Sequence, residues 1–122
     1  MFNKLKRIIF YSYSKCSTCR KASKWLDQNN INYQLKDIVK EPPSRKFLEL
    51  ASMQFSLDIK KIFNTRGKSY NSIDFDILDL TKKRIIELLS NDGKLIKRPF
   101  LIINESKLLL GFNESEYITN LK

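Results

Sequence analysis

The strand–helix–strand order of the N-terminal third is the feature that most constrains what this chain can fold into. Residues 7–13 are β-branched and aromatic, which is typical of a buried strand. Residues 17–28 carry a helical stripe of apolar or small side chains at spacings of three and four: Cys19, Ala22, Trp25 and Leu26. Apolar side chains alternate in residues 31–37, which predicts a second strand. Because the connections are short, we expect a βαβ unit with parallel strands and a right-handed crossover.

The remainder of the chain predicts several helices and then a hairpin. Glu41-Pro42-Pro43-Ser44 interrupts the pattern, and Ser44 is the expected N-cap of a helix whose stripe begins at Phe47. Further helices are predicted in residues 57–63 and 81–90, whereas residues 72–80 fit no single pattern. The closing elements are predicted as two antiparallel strands and a helix, in residues 100–103, 107–110 and 113–120.

Together these elements predict an α/β protein of thioredoxin-like fold, with a mixed four-stranded sheet. The middle helices form a helical insertion, at about residues 42–95, between the βαβ and ββα halves. At 122 residues the chain has the length of one domain, so we expect a single domain over residues 1–122 and a monomer. No apolar run approaches the ~20 residues of a membrane span. The basic start precedes only a short apolar stretch without a cleavage site, so we expect a cytoplasmic protein.

Composition excludes several kinds of chemistry. The chain has two cysteines and no histidine, so Cys–His and Ser–His–Asp catalysis cannot occur within it. A structural zinc site would need at least two carboxylate ligands, which is unusual, and we expect no metal. The net charge is +10, but the lysines are scattered and no DNA-binding motif is present. The charge therefore leaves two alternatives open, a polyanionic partner or a solvated basic surface.

The two cysteines are the main candidates for chemistry. Cys16 lies where the first strand turns into the helix, and Cys19 follows on the first helical turn. The free N–H groups and the dipole at a helix start favour an anion, so a thiolate is favoured at Cys16. Lys15 and Arg20 add positive charge. We expect Cys16 to attack and Cys19 to resolve; the alternatives are two buried small residues or a metal site.

The same helix start would accept a phosphate-like oxyanion. Arg66 and Arg98 are candidates to complete the cradle, because a guanidinium group matches tetrahedral oxyanions. For Arg66, the alternative is an ordinary surface arginine. Pro99 directly precedes a predicted strand, and a cis Arg98-Pro99 bond there would shape the site opposite the cysteine loop. The alternative is an ordinary trans proline at the start of a strand.

Five segments, in order along nearly the whole chain, resemble the arsenate-reductase-like family, which includes glutaredoxin-dependent arsenate reductases and the Spx and MgsR regulators. They are Cys16-Ser17-Thr18-Cys19-Arg20-Lys21-Ala22, Glu41-Pro42-Pro43-Ser44, Asn64-Thr65-Arg66-Gly67, Leu95-Ile96-Lys97-Arg98-Pro99 and Gly111-Phe112-Asn113-Glu114. The middle segments are most similar to the uncharacterised reductase-like branch with a CxxC motif. The resemblance implies a thioredoxin-like fold with a helical insertion.

The resemblance also implies roles for individual residues. Cys16 matches the nucleophilic cysteine of the family, and Arg66 and Arg98 match two of the three arginines around the oxyanion. The third arginine would fall near Gly111-Phe112, where this chain has no basic residue. Classical arsenate reductases carry serine at the position of Cys19 and use glutathione and glutaredoxin instead. We therefore expect weak or no arsenate reduction.

Two functions follow from the sequence. The first is a thiol-dependent oxidoreductase acting on a disulfide, glutathione-linked or oxyanion substrate, without a bound cofactor. Its reductant would be glutathione or a thioredoxin or glutaredoxin system, and its partner a small thiol or redox protein. The alternative is an Spx-like redox-sensing transcriptional regulator that binds RNA polymerase. In an alignment without gaps, Asp58 occupies the position of the glycine that Spx-type regulators use to contact the polymerase.

Overall fold

The structure is a computed structural model and describes residues 6–122. These residues contain four strands and five α-helices. They are β1 (Ile8–Ser12), α1 (Ser17–Gln28), β2 (Gln34–Asp37), α2 (Arg45–Gln54), α3 (Lys68–Asn71), α4 (Lys82–Asn91), β3 (Phe100–Ile103), β4 (Lys107–Leu110) and α5 (Glu114–Leu121). Three short 3₁₀ helices lie in the middle of the chain, at Ile59–Ile62, Ile77–Asp79 and Gly93–Leu95.

The strands form one sheet in the order β2-β1-β3-β4. β1 and β2 are parallel, whereas β3 is antiparallel to both β1 and β4. The carboxyl end of β1, the amino end of β3 and the carboxyl end of β4 therefore lie at the same end of the sheet. This arrangement confirms the mixed four-stranded sheet predicted from the sequence.

Each face of the sheet is covered by its own apolar cluster. α1 and α5 cover one face, where Phe10 and Leu101 pack against Trp25 and Tyr117. The indole Nε1 of Trp25 also donates to Glu114 Oε2 at 3.2 Å, which joins these two helices. The middle helices cover the opposite face through a larger cluster that includes Leu48, Leu89 and Ile96. The alternation of side chains along the strands produces this division, since successive residues point to opposite faces.

The helical stripe predicted for α1 is confirmed, because its four residues are the buried ones of that helix. β2 is shorter than predicted: only residues 34–37 pair with β1, although Ile31 and Tyr33 still pack against the core. Ser44 stands at the N-cap of α2, but its side chain makes no capping hydrogen bond. The helix predicted over residues 57–63 is a single 3₁₀ turn at Ile59–Ile62.

The insertion approaches the sheet closely at one glycine. A Cβ atom on Gly93 would lie 1.9 Å from the carbonyl oxygen of Ile38, which follows β2. No side chain fits between these two backbones, so glycine is required here by the close approach. Among the helices of residues 6–122, none has both the length and the apolar composition to cross a membrane.

Candidate functional site

Cys16 lies at the junction predicted from the sequence. β1 ends at Ser12, and the backbone N–H of Cys16 donates to the carbonyl of Tyr13 at 3.0 Å, which closes a turn. Cys16 has extended backbone angles and is the N-cap residue of α1. Its Sγ atom accepts the backbone N–H of Cys19 at 3.2 Å. The sulfur thus occupies the position that a serine or aspartate oxygen takes in a common N-cap, and the helix start favours negative charge on it.

Cys19 is a very different thiol from Cys16. It is 1% exposed, whereas Cys16 is half-buried, and both are free cysteines. Burial, together with a hydrogen bond to Cys16, raises the pKa of Cys19 to about 12. The backbone of Tyr13 and the hydroxyl of Ser12 oppose this rise by hydrogen bonding to the sulfur. An attacking thiolate is therefore disfavoured at Cys19 in the reduced protein.

Arg98 lies against the loop that precedes Cys16. The central carbon of its guanidinium group is 4.9 Å from the centre of the Tyr13 ring, a cation–π contact. The Arg98-Pro99 peptide bond is cis, and Pro99 is buried directly before β3. Tyr13 therefore contacts both parts of the site: its carbonyl accepts from Cys16, and its ring supports Arg98. The sequence patterns above did not predict this role of Tyr13, although its position at the end of a strand-like run, before the cysteines, is a signal for it.

Arg66 lies on an exposed turn that neighbours the Arg98 loop. The N–H of Asn64 donates to the carbonyl of Leu95 at 2.7 Å, and the N–H of Lys97 donates to Ile62 at 2.8 Å. These bonds hold the turn of Arg66 beside the segment leading to Arg98. Within the part of the chain that the structure describes, the Arg66 side chain makes no hydrogen bond and no ion pair. It is therefore available to a ligand but is not fixed in place.

The place of the third arginine is occupied differently. Gly111 has a φ angle of 74°, which disfavours any residue with a Cβ atom. A Cβ there would also lie 3.1 Å from Cε of Lys97, so the Lys97 side chain extends over this glycine. The next residue, Phe112, packs edge-on against Tyr117 with ring centres 4.8 Å apart. A lysine from the Arg98 segment is thus the cation nearest to this position.

Two further residues contribute to the surroundings of the cysteine pair. Arg20, expected to supply charge, donates from Nη1 to the carbonyl of Ser14 at 2.8 Å and thereby braces the loop. Tyr117 is fully buried and its hydroxyl has no hydrogen-bond partner among residues 6–122. Burial, and to a lesser degree the nearby Cys19, raises the pKa of this phenol. Tyr117 therefore forms part of the apolar surroundings of Cys19. Nothing in the sequence pattern singled it out from the other residues of the closing helix.

A protein-family model described as the ArsC family matches residues 11–120. This match spans both cysteines, both arginines, the end of β1 and the three other strands. The chain belongs to the ArsC family. Family members among known proteins include one without an assigned role: the uncharacterized protein YusI of Bacillus subtilis is 37% identical over 115 residues, which is 93% of this chain and 97% of YusI.

Other members of the family are named for two different functions. The regulatory protein MgsR of Bacillus subtilis is 31% identical over 113 residues, covering 93% of this chain and 89% of MgsR. The crystal structure of a possible arsenate reductase from Streptococcus mutans superposes with a TM-score of 0.84 at 36% identity, covering 96% of this chain and 99% of that one. The family therefore contains both a regulator and a reductase-like protein at similar identity.

Proposed function

We propose that the protein is a thiol-dependent oxidoreductase in which Cys16 is the nucleophile and Cys19 the resolving residue. The observation that carries this proposal is the contrast between the two thiols. The Cys16 sulfur caps α1 and reaches solvent, whereas Cys19 is 1% exposed with its pKa raised to about 12 by burial. This contrast supports an order of events, because the first attack falls to the accessible sulfur at the helix start.

For a disulfide substrate the proposed steps are two thiol–disulfide exchanges. The Cys16 thiolate attacks one substrate sulfur, the substrate S–S bond breaks, and the first thiolate leaves and takes a proton from solvent. Cys19 then loses its proton to solvent and attacks the Cys16 sulfur, which releases the second thiol. The substrate gains two electrons and the protein holds a Cys16–Cys19 disulfide. Glutathione, or a thioredoxin or glutaredoxin system of the cytoplasm, returns the two electrons.

Arg98 and Arg66 are proposed to orient an anionic substrate such as glutathione disulfide. Arg98 is supported by its contact with Tyr13, which holds the guanidinium beside the cysteine loop. Arg66 is exposed on the neighbouring turn and is proposed to close over the substrate. Because a charge-assisted contact is worth about 1.5–3 kcal/mol, an arginine-to-alanine change should weaken substrate binding by about tenfold to a hundredfold.

The test uses glutathione disulfide as the probe. Reduced wild-type protein is incubated with it, quenched with an alkylating reagent and analysed by mass spectrometry. We expect an intramolecular Cys16–Cys19 disulfide, and in Cys19→Ser a glutathione adduct on Cys16. The matched variant Cys16→Ser should acquire little adduct on Cys19. Equal labelling of the two single-cysteine variants, or persistent free thiols in the wild type, contradicts the proposal.

Arsenate is proposed to be a poor substrate. The position near Gly111-Phe112 lacks an arginine, and one missing charge-assisted contact costs on the order of tenfold to a hundredfold in rate. An arginine placed there by Phe112→Arg should raise activity if its guanidinium reaches the oxyanion, although it also removes the contact with Tyr117. Robust arsenate turnover by the wild-type protein with glutathione and glutaredoxin would restore the arsenate reductase assignment.

A redox-sensing regulator that binds RNA polymerase is the second candidate. Two observations favour it: the identity to MgsR over 93% of this chain and the CxxC pair. Asp58, at the position expected to hold a glycine in Spx-type regulators, is exposed after α2. Binding of the oxidised and reduced protein to purified polymerase discriminates the two functions. Redox-dependent binding by the wild type supports regulation, and binding that appears only in Asp58→Gly supports the oxidoreductase.

A further inference from the structure

The free edge of β4 borders a groove on the protein surface. The groove has a volume of about 720 Å³ and lies at one side of the sheet, between the end of α2 with the 3₁₀ turn that follows it and α5. Its floor is formed by the strand itself, through Leu108, Leu109 and Leu110. It lies across the width of β3 from the end of β1, so it is separate from the cysteine pair.

The direction of the backbone groups along this edge follows from the strand register. Leu101 pairs with Leu109, and the N–H of Gly111 donates to the carbonyl of Pro99 at 2.9 Å. The backbone N–H and C=O groups of the odd-numbered residues of β4 therefore point toward β3. In an antiparallel ladder the N–H and C=O groups of alternate residues point to opposite sides, so those of Leu108 and Leu110 point outward into the groove.

The side-chain amide of Gln54 already pairs with one residue of this edge, as a neighbouring strand would. Its side-chain Nε2 donates to the carbonyl of Leu108 at 2.8 Å, and its Oε1 accepts the N–H of Leu108 at 3.0 Å. One amide group thus satisfies both outward backbone groups of this residue. Leu110, two residues further on, presents the same pair of groups without a partner among residues 6–122. An edge of this kind can accept an added strand.

The charge of the groove specifies what kind of strand would fit. Four lysines line it: Lys60, Lys61, Lys97 and Lys107. None of them forms an ion pair within residues 6–122, where the ion pairs involve other cations. Asp58 and Glu116 are the acidic residues of the lining, which leaves a net excess of two positive charges (four minus two). An extended segment with acidic side chains is complementary to this surface.

We propose that the β4 edge binds an extended acidic peptide segment of a partner protein, which pairs with Leu110 as an added strand. Main-chain hydrogen bonds to the outward groups of Leu110 provide the alignment, and the lysines favour the acidic side chains. Displacement of Gln54 would extend the pairing to Leu108. Because this docking surface is separate from the cysteine pair, peptide binding here does not depend on which reaction the pair performs.

The test measures binding of a fluorescein-labelled peptide of alternating glutamate and valine by anisotropy, with amide shifts by NMR. We expect saturable binding and shifts centred on Leu108–Gly111. N-methylation of the peptide at the residues that pair with Leu110 should weaken binding at least tenfold, because it removes the strand hydrogen bonds without changing charge. Equal affinity of the methylated peptide would overturn the proposal.

Matched variants separate the groove from general charge attraction. Lys60→Glu/Lys61→Glu should weaken binding at least tenfold, whereas Lys82→Glu/Lys83→Glu, the same change at an exposed adjacent pair on α4, should alter it less than twofold. Gln54→Ala should tighten binding severalfold by freeing Leu108, with an unchanged circular dichroism spectrum as the control for folding. Equal loss in both charge-reversed pairs overturns the proposal. So does a dimer with a protected Leu110 amide, or tighter binding of a single-stranded oligonucleotide to the same residues.

Discussion

The sulfur of Cys16 lies 3.2 Å from the backbone nitrogen of Cys19 and accepts its hydrogen bond, yet only Cys16 reaches solvent. The two members of the CxxC pair are therefore coupled and unequal. Capping keeps Cys16 at the helix start, where negative charge is favoured, while burial keeps Cys19 protonated. Four predictions follow from this pair and from the glycine at which the insertion meets the sheet, and each can be checked on the purified reduced protein.

The first prediction concerns alkylation. At pH 7.5, the Cys19→Ser variant, which retains Cys16, should react with iodoacetamide at least about tenfold faster than Cys16→Ser, because the thiolate fraction falls tenfold for each unit of pKa. Stopped-time labelling followed by mass spectrometry measures both rates. Denatured samples of the two variants are the control and should react alike. Faster labelling of the folded protein that retains only Cys19 would contradict the assignment.

The second prediction concerns stability at high pH. In the unfolded chain Cys19 loses its proton near its usual pKa of about 9, whereas in the folded protein it keeps it until about pH 12. Between these values the folded state binds one more proton, so the free energy of unfolding falls as pH rises, by about 1.4 kcal/mol per pH unit. Below pH 8 the contribution is constant.

Urea unfolding at pH 7.0, 8.5 and 9.5 with a phosphine reductant measures this slope. The Cys19→Ala variant lacks the thiol and should show a shallower loss between pH 8.5 and 9.5. Its buried tyrosines are retained and titrate above this window in the folded protein, so the difference between the two proteins comes mainly from Cys19. Parallel stability curves for the two proteins would show that Cys19 is not the titrating group.

The third prediction concerns the cap. Cys16→Ala removes the side-chain acceptor that caps α1 and should lower the free energy of unfolding by about 1 kcal/mol. Cys16→Ser restores an acceptor of the preferred type and should remain within about 0.5 kcal/mol of the wild type. Chemical unfolding of the reduced proteins measures both. Identical stabilities for the alanine and serine variants would mean that the sulfur contributes nothing as a cap.

The fourth prediction concerns Gly93. Gly93→Ala would place a Cβ atom 1.9 Å from the Ile38 carbonyl oxygen, so the backbone must shift, and we expect a loss of about 3 kcal/mol in unfolding free energy. Gly67→Ala is the matched control. Its Cβ would meet the end of the flexible Asn64 side chain, which can move, and should cost less than about 1 kcal/mol. Thermal unfolding of both variants should therefore separate them clearly.

The sequence predicted the elements whose pattern is local. The stripe of α1 is as expected, because burial of one helix face imposes a strict period. The strands at residues 100–103 and 107–110 are as expected, because both are short apolar runs joined by a turn. The middle of the chain was less predictable. α3 at Lys68–Asn71 has no buried residue and hence no apolar stripe to reveal it. The 3₁₀ turn at Ile59–Ile62 is set by contacts with distant residues, such as the bond from Lys97 to Ile62.

The candidate site shows the same contrast between local patterns and contacts of distant residues. Cys16 as a helix cap follows from its neighbours in the chain, so its position could be predicted. The contact of Arg98 with Tyr13 joins residues 85 positions apart and depends on how β3 pairs with β1. The extension of Lys97 over Gly111 likewise depends on the pairing of β3 with β4. No spacing within the sequence encodes either contact.

The single tryptophan gives this protein an optical property that needs no label. Trp25 shares the buried face of α1 with Cys19. Its ring centre lies 5.5 Å from that of Tyr117, whose phenol pKa is raised in part by Cys19. All emission from tryptophan therefore originates on the buried face of the helix that carries Cys19. We expect the intensity of this emission to differ between the dithiol and the disulfide, so that oxidation and reduction of the cysteine pair can be followed in real time with a fluorimeter.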